Sequence, residues 1–358
     1  MRAVITRELN GPLEVLDDVQ LAGPGPGEVR VRMVAAGVCH SDLSSMDGTF
    51  PQPMPFVMGH EGAGEVVAVG DNVTSLAPGD HVILSWMPPC GRCRFCAGGQ
   101  PQLCLDIVAL SMMSPRFSQG ETTLFAMSST GTFVEETVVN EAGAIKIDPD
   151  VPLDVASLIG CGVTTGVGAA LNTAKVQPGS SVIVFGCGGV GISVIQGARI
   201  AGAAEIVAVD IAEQKLEVAK SFGATDAKTP EQLGELRNDL IGGPFDYAFE
   251  VVGSPVTVRA AYDATRRGGT TVIVGAGRPD ARVEFSPYEL FFLEKKILGS
   301  MYGSANVRFD FPRLLALWKA GKLDLENMIS QRITLDEVDD AFEAMKRGDV
   351  IRSVIEFK

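Results

Sequence analysis

Positive charge is scarce in this chain. Thirty lysines and arginines face 44 aspartates and glutamates, which leaves a formal charge of −14 over 358 residues and a pI near 4.7. No run of basic residues occurs, so a nucleic-acid surface or an anionic-membrane surface is excluded as the main purpose of the molecule. An apolar stretch after the first charged residues is missing too: Met1-Arg-Ala-Val-Ile-Thr-Arg-Glu8 leads into no hydrophobic run, which argues against a secretory signal. Internal repeats and low-complexity tracts are absent. The longest uncharged segment, Pro178–Ala198, carries six glycines and reads as strand, turn and helix rather than as a membrane span. Seven cysteines without a secretory signal are expected to be metal ligands or buried thiols rather than disulfides. A cytoplasmic protein is the expectation, and the length favours two domains.

What is present begins with Ser181-Val-Ile-Val-Phe185, a β-branched apolar run that reads as a buried parallel strand. It passes into Gly186-Cys-Gly188-Gly189-Val190-Gly191, and then into a helix-like pattern from Ile192 to Arg199. A second apolar run, Ile206–Val209, ends on Asp210. Glycines in this G-x-G-x-x-G spacing let the backbone approach a pyrophosphate, whose charge then meets free N–H groups at a helix N-terminus. Asp210 is placed to hold the adenosine ribose hydroxyls. An acid there repels a 2′-phosphate, and Ile211-Ala-Glu213 offers no arginine to receive one, so NAD is favoured over NADP.

Residues 1–160 are β-rich by pattern, with alternating runs such as Glu28–Ala35 and Gly64–Val69 between Pro/Gly turns. From about 163 to 301, strand and helix alternate; strands are expected at 181–185, 206–209, 246–250 and 271–275. The tail adds helices near 309–319 and 336–346 and a last strand near 352–357.

Cys90-x2-Cys93-x2-Cys96-x7-Cys104 packs four thiols into a short loop, a spacing suited to tetrahedral zinc in a closed structural site. Free surface thiols or an iron–sulfur cluster are the alternatives. Other ligand candidates are scattered: Cys39, His40, His60, Glu61, His81 and Cys161. Each fits a buried thiol or a core histidine equally well when taken singly, and for His81 the core reading is the better one. Three such ligands with one open position would make a catalytic zinc.

Taken in order, these segments resemble the zinc-containing medium-chain alcohol dehydrogenases, over almost the whole chain. Gly37-Val-Cys39-His40-Ser41-Asp42, Gly59-His60-Glu61-Gly62-Ala-Gly64 and Gly160-Cys161-Gly-Val-Thr-Thr165-Gly166 resemble the family's three catalytic-zinc segments, and the four-cysteine loop its structural-zinc lobe. The resemblance implies an α/β protein: a GroES-like β-rich catalytic domain (1–162 and 302–358, lobe at 88–106) around a Rossmann doubly wound parallel sheet (163–301). It also implies two zinc ions per chain. Cys39, His60 and Cys161 would hold the catalytic one, with Glu61 beside it and Asp42 fixing the tautomer of His60. Ser41 resembles the hydroxyl that takes the alcohol's proton. Ser44 stands where well-known members carry a histidine, so the outer proton path differs.

By the same resemblance, His40 and Arg352 contact the pyrophosphate, and Asp210 and Lys215 the adenosine ribose, while Thr165, Val190, Val252, Val274 and Ala276 flank the nicotinamide half. Read alone, Arg352 is an ordinary surface arginine and Met301 a core residue. Phe50, Trp86 and Met301 resemble substrate-cleft positions; two large aromatics favour an aryl, allylic or medium-chain primary alcohol. The glutathione-dependent members carry an acid at the position of Phe50 and an arginine at that of Val108, and neither is present. Alternatives are a polyol or other secondary-alcohol dehydrogenase, a zinc/NAD redox sensor without turnover, or an enzyme that recycles NAD while it stays bound. The long segment from Cys104 to Phe133 favours a homodimer over a tetramer.

Overall fold

The computed structural model describes residues 1–234 and 242–358. Two compact units emerge: Met1–Cys161 with Asn306–Trp318 and Leu325–Lys358, and Gly162–Ala305 with Lys319–Asp324.

The first unit is organised by the strand Glu28–Val38. Its alternation puts Val29, Val31 and Met33 into the core and turns Arg30 and Arg32 away from it, as a period of two requires. Glu61–Val69, Glu136–Asn140 and Arg352–Glu356 all pair with it antiparallel, in a seven-stranded sheet. A strand from near residue 355 thus lies directly beside the strand Glu28–Val38. The helix Val338–Arg347 places Val338, Ala341 and Phe342 in one apolar cluster with Val38, Phe56, Met58 and Phe133. A second, six-stranded sheet carries Ala3–Thr6 and Thr122–Ala126.

The second unit is the doubly wound sheet. Its strands run Asp226–Lys228, Glu205–Val209, Ser181–Phe185, Phe245–Glu250, Thr265–Ile273 and Lys296–Gly299 across the sheet, all parallel. The order reverses direction between Ser181–Phe185 and Phe245–Glu250, so the crevice for a ligand opens at the carboxyl ends of those two strands. Three of the four expected strands agree within a residue. The fourth starts earlier, at Thr265, and ends at Ile273, the register partner of Glu250, whose carbonyl accepts the N–H groups of both Val274 and Gly275 (2.8 and 3.0 Å). The two edge strands are only three and four residues long, and periodicity alone does not pick them out.

Candidate active site

Cys39 follows the central strand and caps the helix His40–Met46. Asp42, three residues on and fully buried, does two things at once. One carboxylate oxygen accepts the Cys39 N–H (2.8 Å) and fixes the turn; the other meets His60 Nδ1 at 2.7 Å. That second contact sets the tautomer: Nδ1 carries the proton, and the lone pair is left on Nε2. Burial opposes a charge on His60, yet the adjacent Asp42 carboxylate holds its pKa well above the usual imidazole value, so without a metal a second proton is held on Nε2, and a metal would displace it.

His60 Nε2 is buried and has no hydrogen-bond partner. An orphaned ring nitrogen in a dry site is costly unless something else takes the lone pair. What surrounds it is suited to a metal: one ligand atom from each of Cys39, His60, Glu61 and Cys161 falls within 4.8 Å of the others, and all four residues are buried. Two thiols, an imidazole and a carboxylate are a zinc donor set. The hydrogen bond from Cys161 holds the Cys39 thiol pKa well down, and the same bond pushes Cys161 well up.

The sheet register delivers Glu61. Glu61 pairs opposite Gly37, which also pairs with Val354, so the strands bring the Arg352 guanidinium against the Glu61 carboxyl as a fully buried ion pair. Gly37 leaves the room: a Cβ there would collide with Glu61 Oε2 and lie 2.8 Å from Arg352 Nη2. Burial raises the Glu61 pKa to about 8 although Arg352 opposes it. Arg352 is thus no surface arginine. Sequence reasoning missed this pair; its only signal was a glycine in a strand interior, a mark of close approach.

Ser41 Oγ lies 3.7 Å from Cys39 Sγ. Ser44 is taken up locally, its hydroxyl donating to the His40 carbonyl. Phe50 is half-buried, its N–H donating to Ser44 O (2.8 Å), and half-buried Trp86 follows the strand His81–Leu84. Leu84 O in turn abuts Gly160, next to Cys161. His40 is exposed. His81 lies in the strand His81–Leu84, outside the cluster.

In the second unit Gly186 sits at φ +101°, open to glycine, and Gly188 caps the helix Gly189–Ile200 without a side-chain cap. Gly191 packs so closely on the Gly186 carbonyl that no Cβ fits. Asp210 already braces this loop, accepting the N–H groups of Cys187 (2.7 Å) and Ala212 (2.9 Å). Lys215 is half-buried on the helix Glu213–Ser221. Thr165, Val190 and Val274 are half-buried, Val252 and Ala276 exposed. Met301 is 43% exposed, not core.

The lobe is the second metal cluster. The Sγ atoms of Cys90, Cys93, Cys96 and Cys104 lie within 4.8 Å of one another. Backbone N–H groups point at sulfur: Cys93 to Cys90 (3.2 Å), Cys90 to Cys104 (3.3 Å) and Cys96 to Cys93 (3.5 Å). The Cys96 N–H helps pull the Cys93 thiol down to about 7. Four thiols fit zinc and leave no open position. None of the seven cysteines is in a disulfide.

Residues 25–149 match the alcohol dehydrogenase GroES-like domain, and residues 189–320 the zinc-binding dehydrogenase family. An S-(hydroxymethyl)glutathione dehydrogenase of Escherichia coli O6:K15:H31 is 39% identical over 99% of both chains. Among solved structures, the benzyl alcohol dehydrogenase of Acinetobacter calcoaceticus superposes with a TM-score of 0.89 at 31% identity, covering 100% of this chain and 99% of that one. A putative zinc-binding dehydrogenase from Sinorhizobium meliloti 1021, bound to NADP, gives 0.80 at 26% identity over 99% of each. With two zinc-type clusters and a nucleotide loop ending on an acid, the chain belongs to the zinc-containing medium-chain alcohol dehydrogenases and is an NAD-dependent enzyme of that family.

Proposed function

We propose that the enzyme reversibly oxidises a primary alcohol, of the aryl, allylic or medium-chain type, to its aldehyde. The observation that carries the reading is the buried pocket of Cys39, His60 and Cys161 with the Ser41 hydroxyl 3.7 Å from Cys39 Sγ. When bound, zinc supplies the Lewis acidity that makes an alcohol hydroxyl acidic near neutral pH, and NAD supplies the hydride acceptor. Cys39, His60 and Cys161 hold the metal, and Asp42 keeps His60 Nε2 free to do so. Ser41 Oγ accepts the alcohol's proton and passes its own outward. Ser44 cannot replace a histidine as the next station, so the proton leaves through water or another group, or more slowly. Glu61 and Arg352 form a buried pair at the back of the pocket. Phe50 and Trp86 line the cleft in this reading and offer ring faces to an aryl or allylic group.

The names of the curated relatives favour a second substrate, S-(hydroxymethyl)glutathione. Against it, Phe50 and Val108 occupy the positions where the glutathione-dependent members carry charged residues. Val108 is a buried apolar residue on the helix Asp106–Met112, which offers no cation to a glutathione carboxylate. We further propose a homodimer, on the length of the segment from Cys104 to Phe133. The net charge of −14 supports small molecules, not nucleic acid or membrane, as its partners.

The test is NADH formation with benzyl alcohol, geraniol, hexanol, ethanol, sorbitol and formaldehyde-plus-glutathione, with zinc counted on the same sample. The highest kcat/KM for benzyl alcohol or geraniol is the expected result. A lead for the glutathione adduct, or for sorbitol, would overturn the substrate class while leaving the family in place.

A further inference from the structure

Three loops meet at the carboxyl ends of the parallel sheet: the glycine loop after Phe185, Val251–Ser254 after Glu250, and Val274–Gly277 after Ile273. Phe185, Glu250 and Ile273 are register partners across the three strands. Val252, Val274 and Ala276 belong to the set assigned to the nicotinamide half, but Glu250 has no role so far. It has no solvent exposure.

One oxygen of Glu250 does unusual work. Oε1 accepts the N–H of Val252 (2.8 Å), the N–H of Gly253 (2.8 Å) and the hydroxyl of Thr257 (2.6 Å). The backbone carbonyl of the same residue accepts the N–H groups of Val274 (2.8 Å) and Gly275 (3.0 Å). A single buried residue therefore ties down its own loop, the neighbouring loop and the first turn of the helix Pro255–Ala264. Val251 N–H donates to Phe185 O at 3.1 Å and links the group to the nucleotide strand. Packing allows little slack: a Cβ on Gly253, which stands at φ +84°, would lie 2.7 Å from the backbone of Ala276. Below these contacts, Glu250 Oε2 is buried without a partner. Above them, Val252 is 55% exposed. A buried carboxyl under an exposed loop tip is a costly group to keep for fold alone; it is the arrangement of a brace under a binding surface.

We propose that Glu250 is a positioning residue for the nicotinamide half of NAD. It holds Val252, Gly253 and Val274 in the geometry that receives the ring, while the adenosine half depends on Gly186–Asp210 instead. The inference rests on the NAD reading and is independent of which alcohol is oxidised.

Binding by the zinc-loaded enzyme tests it, with NADH followed by fluorescence and ADP-ribose, which lacks the nicotinamide, by competition. Glu250→Ala should raise the Kd for NADH about tenfold or more and leave ADP-ribose within about twofold. Glu250→Gln, which keeps an acceptor oxygen, should recover NADH affinity to within about threefold of wild type. Thr257→Val removes one donor and should cost about threefold for NADH only. Equal losses for both ligands in Glu250→Ala would overturn the proposal, since the residue would then only support the sheet. Unchanged NADH affinity would overturn it too. Should Glu250→Ala not fold, Thr257→Val decides: a Kd for NADH equal to wild type overturns the proposal. A wild type that binds neither ligand would sink the nucleotide reading and the proposal with it.

Discussion

The two metal clusters solve one chemical problem in opposite ways. The lobe draws four cysteines from the short span Cys90–Cys104, three of them half-exposed, and steadies them with its own N–H groups. The pocket draws Cys39, His60, Glu61 and Cys161 from three distant segments, buries all of them, and surrounds them with two further buried charged residues, Asp42 and Arg352. A site that only has to bind metal can be built locally from thiols. One that must also hold a substrate and move a proton needs residues of different chemistry, and only a sheet register can bring those together.

Breaking the pocket should therefore abolish chemistry, and breaking the lobe should cost stability. Cys39→Ser is expected to lower kcat by about a thousandfold or more, with NADH affinity near wild type. Wild-type kcat in that variant would remove Cys39 from the reacting site. Arg352→Met comes next. At pH 9, where Glu61 with its pKa of about 8 is ionised, it leaves that carboxylate buried without its cation beside two thiols, and breaking a buried pair in this way costs about 3–5 kcal/mol. Urea unfolding of the zinc-loaded protein would measure it, and a loss below about 1 kcal/mol would mean that the pair is hydrated in solution. Cys93→Ser is the milder, local lesion. One zinc per chain should be lost and about 2 kcal/mol of stability with it, while the remaining folded protein keeps kcat within about threefold.

This contrast also decides what could be read from the chain beforehand. The lobe was legible because its ligands lie within one loop, and the nucleotide loop because glycine spacing, strand and helix sit side by side in Ser181–Arg199. The pocket's ligands carried no local pattern, and only the resemblance joined Cys39, His60 and Cys161. Asp42 was assigned to His60, but its second bond, to the Cys39 N–H, depends on the helix starting where it does. The Glu61–Arg352 pair depends on which strand neighbours which, across almost the full chain. Glu250 escaped for a related reason: a glutamate ending a strand carries no signal of its own, and its partners are backbone groups that exist only once the loops are folded. Three buried strands were read to within a residue and the fourth was displaced, while the short edges Asp226–Lys228 and Lys296–Gly299 carried no pattern long enough to raise an expectation.

Lys295 supplies the control for the cost of a buried charge. Like Arg352 it is buried, but no carboxylate pairs with it among the described residues. Its ammonium donates to the Tyr262 carbonyl (2.7 Å) and sits 4.4 Å from the centre of the Tyr262 ring. Burial pulls its pKa down from 10.5 to about 8, against a smaller upward pull from Asp263. Below about pH 8 both folded and unfolded chains hold the proton, and the full desolvation cost weighs on the fold. Between about pH 8 and 10.5 the folded chain releases it first, so this residue's contribution to stability rises with pH; above 10.5 the cost is gone. Lys295→Met should therefore stabilise the protein at pH 7 by about 1–2 kcal/mol, after allowance for the lost bond to the Tyr262 carbonyl, and the gain should shrink as pH climbs through that window. Paired Arg352 should behave in the opposite sense, its replacement destabilising above about pH 8, where Glu61 is charged. If Lys295→Met instead destabilised the protein equally at pH 7 and pH 10, burial would not be what sets the cost, and the contrast between paired and unpaired buried charge would not hold in this fold.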